Sequence, residues 1–527
     1  MKENFFEALK ETFKESDANV SVTENGAVGY RSTGKNLLDM NFKIASYRSL
    51  GLQVIVNDWV KAYYEDKELA LRWLFFAGDI REGLGERRLF RTIFYHVAND
   101  NHKLGIELLK FIPEYTRWDY VMDLIEMPEV GPEALKLIKD TLVSDIANRA
   151  DNKPITLLAK WMPSINTSNK DVRHRANIIR KYLGVSERNY RKTLSDLRKY
   201  TNVVEVKMCA NQWNEIDYEA VPSKANLRYS AAFMKHDEER RTKYLEALSK
   251  GEAKINASVL FPHDIVNKCT NYSGWSVKIN QKDETNIALW KALPDYVQGN
   301  NNTIVVADGS ASMCTNVGVN TKTMALNVAN ALAIYFAERL SGQFKNKYIT
   351  FSMRPQLVDL SKGKDIYEKL QIAFSHNECA NTNIEAVFDL LLDTAKRYNM
   401  TQEDMIDNIL IISDMEFDSC AACSSVVNDF GYFTSYTKPD QNLFKKIAKK
   451  YENAGYKLPR LVFWNVNSRT GTIPIIENEL GVALVSGFSP VIAKMVLSGK
   501  TDPYEVLKDQ LMVPRYDAIA NAAKDLI

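Results

Sequence analysis

Asn301-Asn302-Thr303-Ile304-Val305-Val306-Ala307-Asp308-Gly309-Ser310-Ala311-Ser312-Met313 decides how the rest of the chain is read. A short apolar run with β-branched residues ends in an acid, two serines and small residues. An amphipathic helix pattern follows over residues 322–341. The pattern predicts a buried strand over 303–308, an oxygen-rich metal-binding loop and a helix.

Downstream, strand and helix patterns alternate. Strands are expected at 348–352, 356–360, 408–413, 460–465 and 482–485. Helices are expected at 364–373, 383–398, 441–454 and 490–498. This alternation predicts an α/β domain with a mainly parallel sheet. The pair flanking Arg354-Pro355 fits an antiparallel edge hairpin. In such sheets ligands bind outside the carboxyl ends of the strands. Asp308 ends one strand there, Ser310 and Ser312 follow two residues apart, Thr382 precedes a helix, and Asp414 follows the apolar Ile411-Ile412-Ser413. Hard oxygen donors with few carboxylates suit Mg²⁺ or another divalent cation, with water completing the shell. Capping of strand–helix loops by Asp and Ser is the other reading of the same residues.

Asp-x-Ser-x-Ser after such a strand resembles the metal-ion-dependent adhesion site (MIDAS) of von Willebrand factor A (vWA) domains, a Rossmann-like fold. The sequence departs from that pattern at Ala311 and Asn381, where the family commonly has Gly. The resemblance implies that an open metal position accepts a carboxylate from a partner. No general base is arranged with the set in the sequence, so no enzyme is expected. His376 reads as a solvent-exposed loop residue.

Upstream, residues 35–290 are patterned as helices almost throughout, with apolar residues three or four apart over 50–64, 68–77, 87–99, 103–112, 120–124 and 132–149. Turn residues separate them: Gly83, Gly85, Pro113, Pro128, Pro154, Pro163, Gly184 and Pro222. Helices of about 12–20 residues with short connections predict an α-solenoid of degenerate HEAT-like pairs. The expected organisation is an extension at 1–34 with a short helix near 5–13, a helical-repeat domain at 35–294, a vWA domain at 295–500 and a helical segment at 501–527.

The 527 residues carry a net charge of +2, so any nucleic-acid surface must be local. Six cysteines without a framework spacing point to a reducing, cytoplasmic compartment. Cys420 and Cys423 form a lone C-x-x-C without the second pair or histidine that zinc needs. No signal peptide or membrane span is expected.

Helical repeats followed by a vWA domain resemble the Ro autoantigen (TROVE) architecture. More closely, the chain looks like a plant and bacteriophage group of unknown function. The residues carrying this are Asp79-Ile80-Arg81-Glu82-Gly83-Leu84-Gly85-Glu86-Arg87, Arg117-Trp118-Asp119, Leu158-Ala159-Lys160-Trp161-Met162-Pro163-Ser164, Val221-Pro222-Ser223-Lys224-Ala225, Phe261-Pro262-His263 and Ser413-Asp414-Met415-Glu416-Phe417-Asp418. The resemblance implies helical repeats closed into a ring by the vWA domain. It also implies a ribonucleoprotein that binds noncoding or misfolded RNA. A protein partner, or another copy held through the metal site, is the alternative.

Residues 170–207 contain eleven Lys or Arg against four Asp or Glu. The RNA candidates are Arg173, His174, Arg175, Arg180, Lys181, Arg188, Arg191, Lys192, Arg198 and Lys199, continuing to Lys224 and Arg228, with Tyr182, Tyr190 and Tyr200 interleaved. Charge with aromatic faces suits RNA. A solvated helix face with core tyrosines suits the same spacing. Arg81 and Arg87 flank two glycines, which fits either a phosphate approach or a helix–helix turn.

Overall fold

A computed structural model describes residues 19–201, 203–273, 276–297, 302–319, 321–418, 442–476, 478, 480–493 and 500–527. The helix expected near 5–13 and the Cys420–Cys423 motif lie outside these residues. The chain divides into two compact units. Described residues up to Glu65 fold with Phe261–Gln510, and Asp66–Leu260 folds with Leu511–Ile527.

In the first unit, β1 (Val20–Val22) and β2 (Val28–Tyr30) form the hairpin to which the early polar segment is suited. A second hairpin joins β3 (Thr270–Ser273) and β4 (Ser276–Ile279). The main sheet contains β5 (Thr303–Asp308), β6 (Lys347–Phe351), β7 (Gln356–Asp359), β8 (Asn408–Ser413), β9 (Arg460–Asn465) and β10 (Val482–Ser486), in the order β10-β9-β8-β5-β6-β7. All pairings are parallel except β6 with β7, the expected edge hairpin. Strands β5, β8, β9 and β10 are buried at every residue. That is why they read as continuous apolar runs rather than alternating ones.

The helix Ala325–Arg339 packs on β5, β6 and β8 and buries nearly all of its circumference. Buried polar groups on it are satisfied by the preceding segment. Asn327 Nδ2 donates to Asn267 Oδ1 and Thr270 Oγ1, and Tyr335 Oη donates to the Pro294 carbonyl. These bonds tie residues 261–297 to the sheet unit. The Asp283 amide and Asn286 Nδ2 both donate to Tyr367 Oη, which reinforces the attachment.

The units therefore divide the chain differently from the expected boundaries at 34/35 and 294/295. Residues 36–65 and 261–294, helix-patterned like the segment between them, fold with the sheet. A helical period records that one face is buried, not what covers it. The expected C-terminal segment also splits: Pro503–Leu511 falls mostly with the sheet unit and Asp517–Ala523 with the helical unit.

The helical unit is less uniform than the expected pairs of 12–20 residues. Its helices range from Gly131–Ala150 (20 residues) down to Ile112–Tyr115 and Leu158–Trp161 (4 residues each). Pro113 starts one short helix, and Pro163 follows closely after the other. The Gly83-Leu84-Gly85 element is a tight turn. Leu84 and Glu86 amides return to the carbonyls of Phe76 and Ala77, and a Cβ at Gly83 would stand 2.0 Å from the Phe76 carbonyl oxygen. Buried Asp79 anchors this turn, accepting from Arg515 Nε (2.5 Å) and Tyr516 Oη (3.3 Å). Among the described residues, no helix is long and apolar enough to cross a membrane.

Candidate functional site

From β5 the chain winds through β6 to β7 on one side. It then returns beside β5 as β8 and winds through β9 to β10 on the other. The winding reverses between β5 and β8, whose register pairs Ala307 with Ile412. At such a reversal the loops leaving two adjacent strands splay apart and open a crevice. Asp308 stands at the end of one strand, and Ser413-Asp414 at the end of the other.

Both acids are buried, Asp308 at 1% and Asp414 at 0% exposure. Asp308 Oδ1 accepts the Ser310 amide (2.9 Å), and its Oδ2 accepts Ser413 Oγ (2.5 Å). Ser310 Oγ and Ser312 Oγ lie 3.0 Å apart. Asp414 accepts the Glu416 amide (3.3 Å) and Arg469 Nη1 (3.1 Å), and the Ser312 side chain lies near enough to favour its charged form. Asp308, Ser310, Ser312 and Asp414 are thus brought together.

Burial, and then the neighbouring Asp414 charge, push the Asp308 carboxyl up to about 7, against the pull of the Ser310 and Ser413 hydrogen bonds. Burial also raises Asp414, although the Arg469 guanidinium pulls the other way. Among the described residues, no three His, Cys, Asp or Glu gather as a metal site. The set has two carboxylates plus hydroxyls. Two buried like charges with neutral oxygens beside them are a donor set that a hard cation fits.

Thr382 is buried two residues after Ala380, whose carbonyl accepts the Ala311 amide (3.0 Å); its hydroxyl accepts from Asn25 Nδ2 (3.3 Å) and its amide donates to Asp418 Oδ2 (3.1 Å). Gly309 lies where a side chain would crowd its neighbours. A Cβ there would meet Asn377 Oδ1 at 2.8 Å and Thr350 Oγ1 at 2.9 Å. His376 is half-buried, its Nδ1 bonded to the Ile372 carbonyl (2.8 Å), rather than exposed in its loop as expected.

Several residues here escaped the sequence reading. Glu416, fully buried, accepts from the amides of Glu24 (2.9 Å), Arg469 (2.8 Å) and Thr470 (3.0 Å), and from the hydroxyls of Ser468 (3.2 Å) and Thr470 (3.1 Å). The β1–β2 turn docks alongside: Thr23 Oγ1 donates to the Phe417 carbonyl (2.6 Å) and Asn25 Nδ2 to the Glu416 carbonyl (2.6 Å). Arg469 spans Glu24 (2.7 Å) and Asp414. Between Asp414 and Glu416, Met415 adopts φ +63°, a strained backbone for a side-chain-bearing residue. The distinctive run 413–418 was the sequence signal for Glu416. Arg469 and the turn carried no signal of their own.

The RNA candidates separate into two groups. Arg198 is committed to the fold, donating to the carbonyls of Ala159 (2.8 Å) and Met162 (2.8 Å) and to Ser164 Oγ (3.3 Å). Arg175 pairs with Asp123 (2.5 Å), His174 with Glu126 (3.1 Å), and Arg180 donates to the Val185 carbonyl (3.2 Å). Arg81 donates to the Glu114 carbonyl. Arg173, Lys181, Arg188, Arg191, Lys192, Lys199, Lys224, Arg228 and Arg87 are exposed, as are His174 and Arg81 beside their partners. On the helix Glu187–Tyr200, Arg188, Arg191, Lys192 and Lys199 span a sector of about 100°, opposite the buried Tyr190, Leu194 and Leu197. Tyr190 and Tyr200 bond to the Pro163 and Lys153 carbonyls (2.9 Å each), whereas Tyr182 is exposed.

A family profile described as "Domain of unknown function (DUF2828)" matches residues 134–300. A second, described as "Domain of unknown function (DUF7788)", matches 302–518. The two matches meet just before β5. The chain is also similar to "Uncharacterized protein L728" of Acanthamoeba polyphaga mimivirus, at 29% identity over 518 residues, covering 92% of this chain and 85% of that relative.

Proposed function

We propose that the sheet unit is a vWA-type domain that holds Mg²⁺ or another hard divalent cation and, through it, an acidic group of a partner or of another copy. One observation carries this reading: two buried carboxylates, Asp308 and Asp414, meet the Ser310 and Ser312 hydroxyls at the reversal of the sheet. Those four residues would hold the ion, with Thr382 beside them. A bound cation supplies charge that attracts an oxygen ligand. Ser413 orients Asp308, Arg469 orients Asp414, and Glu416 fixes the loop that carries Arg469. The role is binding, not catalysis. Calorimetric titration with Mg²⁺ and Mn²⁺ tests it: the wild type takes up one ion and Asp308→Asn takes up none. Equal uptake by both proteins, or none by the wild type, overturns the reading.

A second reading, RNA binding of Ro type by the helical unit, is favoured by the exposed stripe of Arg188, Arg191, Lys192 and Lys199. Binding through such a stripe falls steeply with salt. Charge reversal at Arg188, Arg191 and Lys192 abolishes binding of a single-stranded RNA probe in this reading. Unchanged affinity rejects it.

A further inference from the structure

Cys314 and Cys379 stand 65 positions apart in sequence, yet their Sγ atoms lie 3.6 Å from one another. Both side chains are half-buried and carry free thiols. Cys314 closes the short turn Ala311–Cys314 that contains Ser312, and Cys379 precedes Thr382 by three residues. The two loops are already laced by backbone hydrogen bonds from the Cys379 amide to the Gly309 carbonyl and from the Ala311 amide to the Ala380 carbonyl, each 3.0 Å. Cys379 adopts φ +49°, a left-handed conformation held by that lacing. The sulfurs are in van der Waals contact, and a covalent bond of about 2.05 Å requires them to close by roughly 1.5 Å.

We propose that Cys314 and Cys379 are an oxidisable dithiol whose disulfide ties the Ser310–Ser312 loop to the Thr382 loop and weakens cation binding there. The oxidant is a small disulfide such as oxidised glutathione. One cysteine thiolate attacks a sulfur of the oxidant, forming a mixed disulfide and releasing one glutathione thiolate. The second cysteine thiolate attacks the protein sulfur of that mixed disulfide and releases the other. The two cysteines lose two electrons and two protons, the glutathione disulfide gains them, and two glutathione thiols leave. Closing the sulfurs shifts the turn that holds Ser312 relative to the Thr382 loop, and Mg²⁺ demands near-ideal octahedral geometry. The effect on the cation rests on the proposed metal site; the disulfide does not.

The experiment treats the 527-residue chain with oxidised glutathione, alkylates the remaining thiols and maps peptides by mass spectrometry. The expected product is a cross-linked peptide containing Cys314 and Cys379, distinct from any Cys420–Cys423 bridge. Alkylation of both Cys314 and Cys379 after treatment overturns the proposal. Mg²⁺ titration of reduced and oxidised protein then reads the consequence, a loss of affinity of about tenfold or more that Cys314→Ser does not undergo. A mapped disulfide with unchanged affinity overturns the switch. A reduced protein that takes up no Mg²⁺ overturns the cation reading and the switch together, while the disulfide is still decided by the peptide map.

Discussion

Ser413 Oγ donates to Asp308 Oδ2 at 2.5 Å, joining the carboxyl ends of two parallel strands 105 positions apart in sequence. The same oxygen accepts the Met415 amide (2.9 Å). One hydroxyl therefore holds both the first acid of the site and the turn that carries the second. Ser413→Ala removes this link and leaves buried Asp308 with one fewer donor. The expected cost is about 1–3 kcal/mol, read by denaturant unfolding.

The Asp308 carboxyl sits at about 7 in the folded chain, above its ordinary value of 3.8. The folded state therefore holds this proton more tightly than the unfolded state. The resulting stability is present below the ordinary value and is lost as pH rises toward 7. Without divalent ions, thermal stability from this group falls across that window. Asp308→Asn flattens that fall. A wild-type slope equal to the variant's counts against the assignment.

Cation binding to the folded form stabilises it by mass action, by about 2.7 kcal/mol when the ion is a hundredfold above its Kd. In the proposed cation reading, melting curves with and without Mg²⁺ are therefore expected to separate in the wild type. In Asp308→Asn and Asp414→Asn they coincide.

Glu416 receives three amides and two hydroxyls while fully buried. Glu416→Ala strands those donors and loosens both the 468–470 loop and the β1–β2 turn. A loss on the order of 3 kcal/mol or more is expected in denaturant unfolding. A change below about 1 kcal/mol would show that water replaces the carboxylate freely.

Arg198 and Arg191 lie two helical turns apart on one helix but have different surroundings. Arg198→Ala removes bonds to two carbonyls and a hydroxyl and is expected to cost about 2 kcal/mol. Arg191→Ala changes an exposed position and stays within about 0.5 kcal/mol. In the RNA reading the ranking inverts for affinity, with Arg191→Ala the more damaging to binding of the folded protein.

Much of the sheet was legible because buried parallel strands leave apolar runs bounded by polar residues. Strands β5, β8 and β9 fall on 303–308, 408–413 and 460–465 as expected. The acids at 308 and 414 were legible as strand-end residues. Chain position could not reveal Ser413 as the bridge, since a serine ending a strand is ordinary. Nor could it show that the Val20–Tyr30 hairpin reaches Glu416 and Arg469, contacts separated by about four hundred positions. The basic run 170–207 was visible as charge, but Arg175, Arg180 and Arg198 look the same as Arg188 until their partners are placed.

The sequence by itself determined the local elements and the donor chemistry. Backbone periodicity and the hydroxyl or carboxylate on each side chain act over a few residues. Tertiary structure decided which elements became neighbours. It placed β8 beside β5, joined residues 36–65 and 261–294 to the sheet, and brought Cys314 to Cys379. Those adjacencies depend on strand pairing and burial between distant segments, whose free energy belongs to pairs of surfaces rather than to either stretch alone.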